Sequence, residues 1–225
     1  MMRTKKGLSE EHLAEVRSRI LNSTKELLVR YGYKKTTIRR IVERSGVLIG
    51  SIYYIFKNKE DIFQTLILEM VQNGIQKIEK RCPDEPPAFR FAAICALELT
   101  EMEAASIIRD VYKEGYDSPQ VFEHMVNQFV LLAHHVFDGT QFEATDEEYY
   151  ERVLLIKGAM RACIAELYFD APHDHAKSRG YLIECVLRLF CVPDMAVRSI
   201  RQRIEEREQL WLTIAGELAM RPIGE

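Results

Sequence analysis

No stretch of this sequence approaches the roughly 20 consecutive apolar residues that a bilayer-spanning helix needs, so no membrane span is predicted. The start, MMRTKKGLSEEH, is basic but lacks the apolar core of a secretory signal, which predicts a cytoplasmic protein. Cysteine is sparse: Cys82, Cys95, Cys163, Cys185 and Cys191 are odd in number, scattered and without a CxxC. That argues against a disulfide framework or a zinc ribbon and predicts small buried apolar side chains. No segment alternates apolar and polar residues at period two, and there is no internal repeat or low-complexity tract. GxGxxG, P-loop, HExxH and GxSxG patterns are all missing, so neither an enzyme nor a cofactor is expected. No metal is expected either. In His173-Asp174-His175 the aspartate sits where it caps a helix, and the adjacent His134-His135 is no stronger a candidate. Glu147, Glu148 and Glu151 read as a solvated first helical turn, where negative charge suits the helix dipole.

What is present is an ordinary globular composition, 225 residues with 47% hydrophobic and 29% charged. This is enough chain for one or two domains with a sizeable core. The net charge of −3 hides an asymmetry. Residues 1–61 hold 14 Lys/Arg against 7 Asp/Glu, while the remainder holds 17 against 27. A basic head on an acidic body suits a head that binds phosphates.

Residues 36–61, TTIRRIVERSGVLIGSIYYIFKNKED, organise the chain. Thr36 or Thr37 can cap a helix whose buried face is Ile38, Ile41 and Val42, with Arg39, Arg40 and Arg44 mostly off that face. Ser45-Gly46 ends it, because glycine adopts the left-handed conformation a helix end requires. A second short helix follows from about Leu48 to Ile55, packing through Ile52, Ile55 and Phe56, and Asn58 is placed to cap the next helix. Helix, glycine-bearing turn and short helix is the helix-turn-helix plan.

These residues resemble the TetR-type bacterial transcriptional regulators. The resemblance rests on Gly32-Tyr33, Thr36-Thr37-Ile38, Ser45-Gly46-Val47, Gly50, Ile52-Tyr53, Phe56 and Lys59-Glu60, and spans roughly residues 10–65. Val42 and Ser45 stand where the family has small alanines, and Leu48 replaces its capping serine. The resemblance implies a three-helix DNA-binding head over residues 1–58 and a helical ligand-binding and dimerisation domain over 59–225. Thr37, Tyr53 and Lys59 match positions that usually contact phosphates; Arg39, Arg40 and Lys57 add charge. In helix-turn-helix docking the second helix meets base edges. Ile49, Ser51 and Tyr54 are the residues predicted to face the major groove, Gly50 allows close backbone approach, and Leu48 and Ile49 offer only apolar contacts.

Residues 1–9 read as an arm, 10–31 as a first helix, and 59–80 as a long helix within which the domain boundary lies. Pro83, Pro86 and Pro87 break the chain. Helices are then predicted over 88–102, 103–114, 119–137, 146–170 and 175–192, giving an all-α fold. The 146–170 and 175–192 pair forms an apolar hairpin with Gly158, Ala159, Ala162 and Ala165, able to pair with its copy as a four-helix bundle. The resemblance likewise implies a homodimer through these helices, double-stranded operator DNA as partner, and a small effector enclosed by the body. Effector-lining candidates are Phe63, Phe91, Met102, Tyr112, Phe122, Met125, Phe129 and Met160, whose apolar character favours a hydrophobic ligand. A last helix is predicted from 194 to about 216, laid on the body or on a partner. The reading that follows is a ligand-responsive, homodimeric DNA-binding regulator, a repressor released by its effector. The alternatives are a protein-interaction module derived from the same head, or a small helical enzyme.

Overall fold

The computed structural model describes residues 10–171 and 173–220, with the side chains of 219 and 220 left aside. The predicted arm at 1–9 lies outside them. Among the described residues there are eleven helices and no strand. The described residues divide into two compact units, one from residue 10 to Ile67 and one over Leu68–Met220. The division falls inside one helix.

In the first unit, α1 (Glu10–Lys35), α2 (Ile38–Ser45), α3 (Ile49–Ile55) and the start of α4 (Lys59–Arg81) enclose one core. Its members include Ile20, Leu21, Leu28, Ile41, Ile52, Phe56, Ile62 and Leu66. Each such side chain withdrawn from water contributes about 1.5–3 kcal/mol before entropy is counted. α1 runs further than its apolar stripe predicts because Gly32, at φ 72 and ψ 171, kinks it and lets a last turn follow. Buried Thr36 donates its hydroxyl to the Gly32 carbonyl at 2.9 Å, tying that kink to the entry of α2.

In the second unit α5 (Pro87–Ala104) is buried on nearly every side from Ala88 to Met102, as its all-round apolar sequence dictates. Around it lie α6 (Ser106–Asp117), α7 (Pro119–Phe137), α8 (Asp146–Glu166), α9 (His175–Leu189), α10 (Asp194–Glu206) and α11 (Glu208–Met220). α8 opens with a reciprocal Thr145/Glu148 capping box, so Glu148 does more than sit in solvent.

The single helix predicted over 194–216 is two helices, broken at Arg207 (φ −100, ψ 20). The indole N–H of Trp211 donates to the Ile204 carbonyl at 2.7 Å, satisfying a carbonyl at the break. The break turns Trp211, Ile214 and Leu218 inward, with the Trp211 ring 6.4 Å from that of Phe89 on α5. Glu85 pairs with both Arg203 and Arg207 across the same corner. The C-terminal helices therefore lie on the body itself.

Candidate nucleic-acid interface

The motif is built by caps. The Thr37 side chain accepts from the Arg40 backbone N–H at 3.4 Å and starts α2. Gly46 ends it at φ 65, its own N–H bonded to the Val42 carbonyl. A guanidinium N–H of Arg19 on α1 donates to the Ser45 carbonyl at 2.9 Å, fixing the turn to the three-helix core. Leu48 precedes α3 in extended conformation and supplies no side-chain cap, as its place in the pattern predicts. Asn58 accepts from the Asp61 N–H at 2.8 Å, and Asp61 accepts from the Lys57 N–H at 2.9 Å, so α4 is capped reciprocally.

α3 is anchored by one fully buried residue, Ile52, and its other face is bare. Leu48 is 77% exposed, Ile49 55%, Tyr53 53% and Tyr54 71%. Gly50 is also exposed and Ser51 half-buried. Neither tyrosine is consumed by head packing. The basic residues flank this face. Lys57 is exposed on the loop before α4. Arg39 pairs with Glu43 at 3.0 Å, and Arg44 with Glu26. Arg40 donates to the Lys35 carbonyl at 2.9 Å with its guanidinium 4.6 Å from the Tyr31 ring centre. Lys59 sends its ammonium to the Tyr33 carbonyl at 2.8 Å, lying 3.6 Å from that ring's centre. This lysine thus holds the end of α1 to the start of α4.

Of the residues predicted to line an effector site, Phe63 belongs to the first unit, its ring 4.4 Å from Tyr33. Phe91, Met102, Tyr112, Met125, Phe129 and Met160 are fully buried in the second unit, and Phe122 is half-buried 5.7 Å from Tyr116. What sequence reasoning missed is the polar cluster they surround. Lys157 of α8, at 0% exposure, donates to Glu98 of α5 at 2.7 Å, with its ammonium 3.3 Å from the centre of the Phe129 ring. Tyr116 donates to the other Glu98 oxygen at 2.9 Å, and Tyr112 to Glu101 at 3.2 Å. Burial, reinforced by the neighbouring carboxylates, pushes both phenols well above the usual tyrosine range. Burial likewise pushes the Cys95 thiol up to about 12. Glu98, Glu101 and Tyr112 reach a small cavity with Met70, Val71 and Gly74 of α4, where about 10 Å³ is open to the centre of a water molecule.

The α8/α9 hairpin buries Val153, Ile156, Met160, Ile164, Leu182 and Val186 inward. Its outward side carries a shallow groove of about 530 Å³ lined mainly by Ala159, Ala162, Cys163, Phe169, Tyr181 and Cys185. Phe169 and Tyr181 are left more than half exposed there, as is Leu155 further along α8. Among the described residues no group of three or more His, Cys, Asp or Glu side chains could hold a metal ion, and no helix is long and apolar enough to cross a membrane.

A short capped helix, a left-handed glycine turn and a second helix with a bare outer face define a helix-turn-helix head. Residues 20–66 match the profile of the bacterial regulatory proteins of the tetR family. Similar chains include YvkB of Bacillus subtilis (strain 168), an uncharacterized HTH-type transcriptional regulator, 28% identical over 109 residues, 48% of this chain and 55% of that protein. An HTH-type transcriptional repressor of Mycobacterium tuberculosis is 37% identical over 62 residues, 28% of this chain and 33% of its own length. The matched region therefore spans about half or less of these relatives. The structure of RolR in complex with resorcinol superimposes with a TM-score of 0.63 at 18% identity, over 86% of this chain and 96% of that one, a likeness of fold. Residues 20–66 therefore form a head of the tetR-family type.

Proposed function

We propose that this protein is a ligand-responsive, sequence-specific transcriptional regulator that acts as a homodimer, a repressor released from a palindromic operator by a small effector. The observation that carries the reading is the bare face of α3. Leu48, Ile49, Tyr53 and Tyr54 stay in water while Ile52 on the same helix is fully buried. A contiguous apolar patch on a short helix marks a surface awaiting a partner, and the basic balance of residues 1–61 makes that partner polyanionic. Thr37, Tyr53, Arg39, Arg40 and Lys57 would hold phosphates, with Ile49, Gly50, Ser51 and Tyr54 at the groove. Lys59 serves first as a brace for Tyr33, and any phosphate contact it makes would be additional.

The second unit would be the sensor. Its core is apolar around the Glu98–Lys157–Tyr116 cluster, which suits a largely hydrophobic effector bearing a hydrogen-bond donor, since carboxylates can only accept. α4 is shared by the two units, with Lys59–Ile67 in one and Leu68–Arg81 in the other. An effector that opened the water-sized cavity at Met70, Val71 and Gly74 would bias α4, and so the separation of two recognition helices in a dimer, by favouring one of two arrangements. The groove on α8 and α9 would meet its own copy.

The test is binding of the purified protein to its own upstream DNA, with salt varied and with Tyr53→Phe and Lys57→Ala as variants. Both side chains are exposed, so neither change should unfold the head. Specific binding that weakens steeply with salt and falls in both variants supports the reading. Weak, sequence-blind binding to every genomic fragment overturns it. Release by a small aromatic diol, the class of molecule held by RolR, is the first effector assay.

A further inference from the structure

The outward face of α3 is short of the groups that usually read bases. The helix sequence Ile49–Ile55, IGSIYYI, contains no Arg, Lys, Asn, Gln, Asp or Glu. Bidentate recognition of guanine takes Arg or Lys, bidentate recognition of adenine takes Asn or Gln, and cytosine is read by Asp or Glu. The nearby guanidiniums, those of Arg39, Arg40 and Arg44, belong to α2 and not to the helix that would enter the groove. The leading residues of the face are instead aliphatic. Leu48 and Ile49 are adjacent, 77% and 55% exposed, and Gly50 behind them adds no side chain that would hold DNA away. A base-pair edge in the major groove presents one apolar group, the C5-methyl of thymine.

We propose that this protein selects its operator chiefly through thymine methyl groups, with Leu48 and Ile49 forming a methyl-reading patch at the start of α3. The proposal rests on the regulator reading above and sharpens it. Specificity is carried by apolar contact with thymine, with the Ser51 and Tyr54 hydroxyls as the polar complement. Burial of a methyl group between two aliphatic side chains and a base edge removes apolar surface from water on both partners. It is worth roughly a three- to fivefold change in affinity per methyl.

The operator would first be obtained by selection of random duplex DNA on the full-length protein. Each thymine of a half-site is then replaced by uracil, which keeps pairing and loses only the methyl. Affinity should fall roughly three- to fivefold at one or two positions per half-site, and that sensitivity should vanish in Leu48→Ala or Ile49→Ala. At the same positions, 5-methylcytosine paired with guanine should bind better than unmethylated cytosine. That arm separates the methyl from the narrow shape of A·T-rich DNA. Circular dichroism and a thermal melt verify that the two variants fold. Uracil tolerated at every position with no measurable loss, or a loss that persists unchanged in both alanine variants, overturns the methyl proposal and leaves the regulator intact. Failure to select any sequence overturns the regulator reading and this proposal with it.

Discussion

Lys157 and Glu98 are 59 residues apart in sequence and joined by a 2.7 Å bond in the core of the second unit. A buried ion pair adds little net stability over an apolar pair, yet removing one partner strands a charge and costs about 3–5 kcal/mol. Lys157→Met should therefore lower the urea midpoint strongly, and Glu98→Gln added to it should restore much of the loss. A single variant as stable as the parent would show that the carboxylate is not held in the core. Tyr116 and Tyr112 complete the same network, and their pKa values are raised by burial first and by the carboxylates second. A raised folded-state pKa means the folded protein keeps protons that the unfolded chain releases. Their contribution is thus full below about pH 10, the ordinary tyrosine value, and is lost as pH rises beyond it. Thermal melts across pH 9–11 should show this decline, and Tyr112→Phe with Tyr116→Phe should flatten it. Of this cluster the sequence singled out only Tyr112, and as an effector-lining residue, not as a partner of Glu101. Glu98 lies between Leu97 and Leu99 with nothing local to signal a cation on a helix three elements later.

The caps of the head were legible, because each is a side chain bonding a backbone group a few residues away. Thr37, Gly46 and Asn58 do what the chemistry of their types dictates. Gly46→Ala places a side chain at φ 65, where an L-residue is strained by roughly 1–2 kcal/mol, although the added Cβ itself meets only Arg19 at 3.7 Å. The head should melt lower, while the cluster in the second unit is untouched. An unchanged melt would mean the turn relaxes at no cost. The break at Arg207 was not legible, since it contains neither Gly nor Pro and charged residues run straight through it. Its cause is tertiary: the Trp211 indole bonds Ile204, and Glu85 holds Arg203 and Arg207. Trp211→Ala removes both the packing on Phe89 and that bond, and should cost about 3–5 kcal/mol in chemical denaturation. Trp211→Phe should recover the packing and lose only the hydrogen bond.

At the scale of the whole molecule, the hairpin pattern foretold an apolar pair of helices, but its residues divide between two destinations. The large ones of α8, Val153, Ile156, Met160 and Ile164, face inward. The outward side is small residues framed by Phe169 and Tyr181, with exposed Leu155 one helical turn before Ala159 on α8. Small side chains let a second helix pair approach closely, and three exposed large ones offer surface that a monomer has no reason to leave in water. If this side is the meeting face of two copies, charge placed on it must separate them, because an isologous interface brings each substitution in twice and near its own image. Leu155→Glu combined with Tyr181→Glu should turn the dimer into a monomer by light scattering on a sizing column. Both residues are more than half exposed, so the helical circular dichroism signal should be kept. Operator affinity should fall with it, because two half-sites are read together only when the heads are joined. A variant that stays dimeric would move the interface elsewhere on the second unit. A monomer that binds the operator as tightly as the parent would show that a single head suffices for recognition.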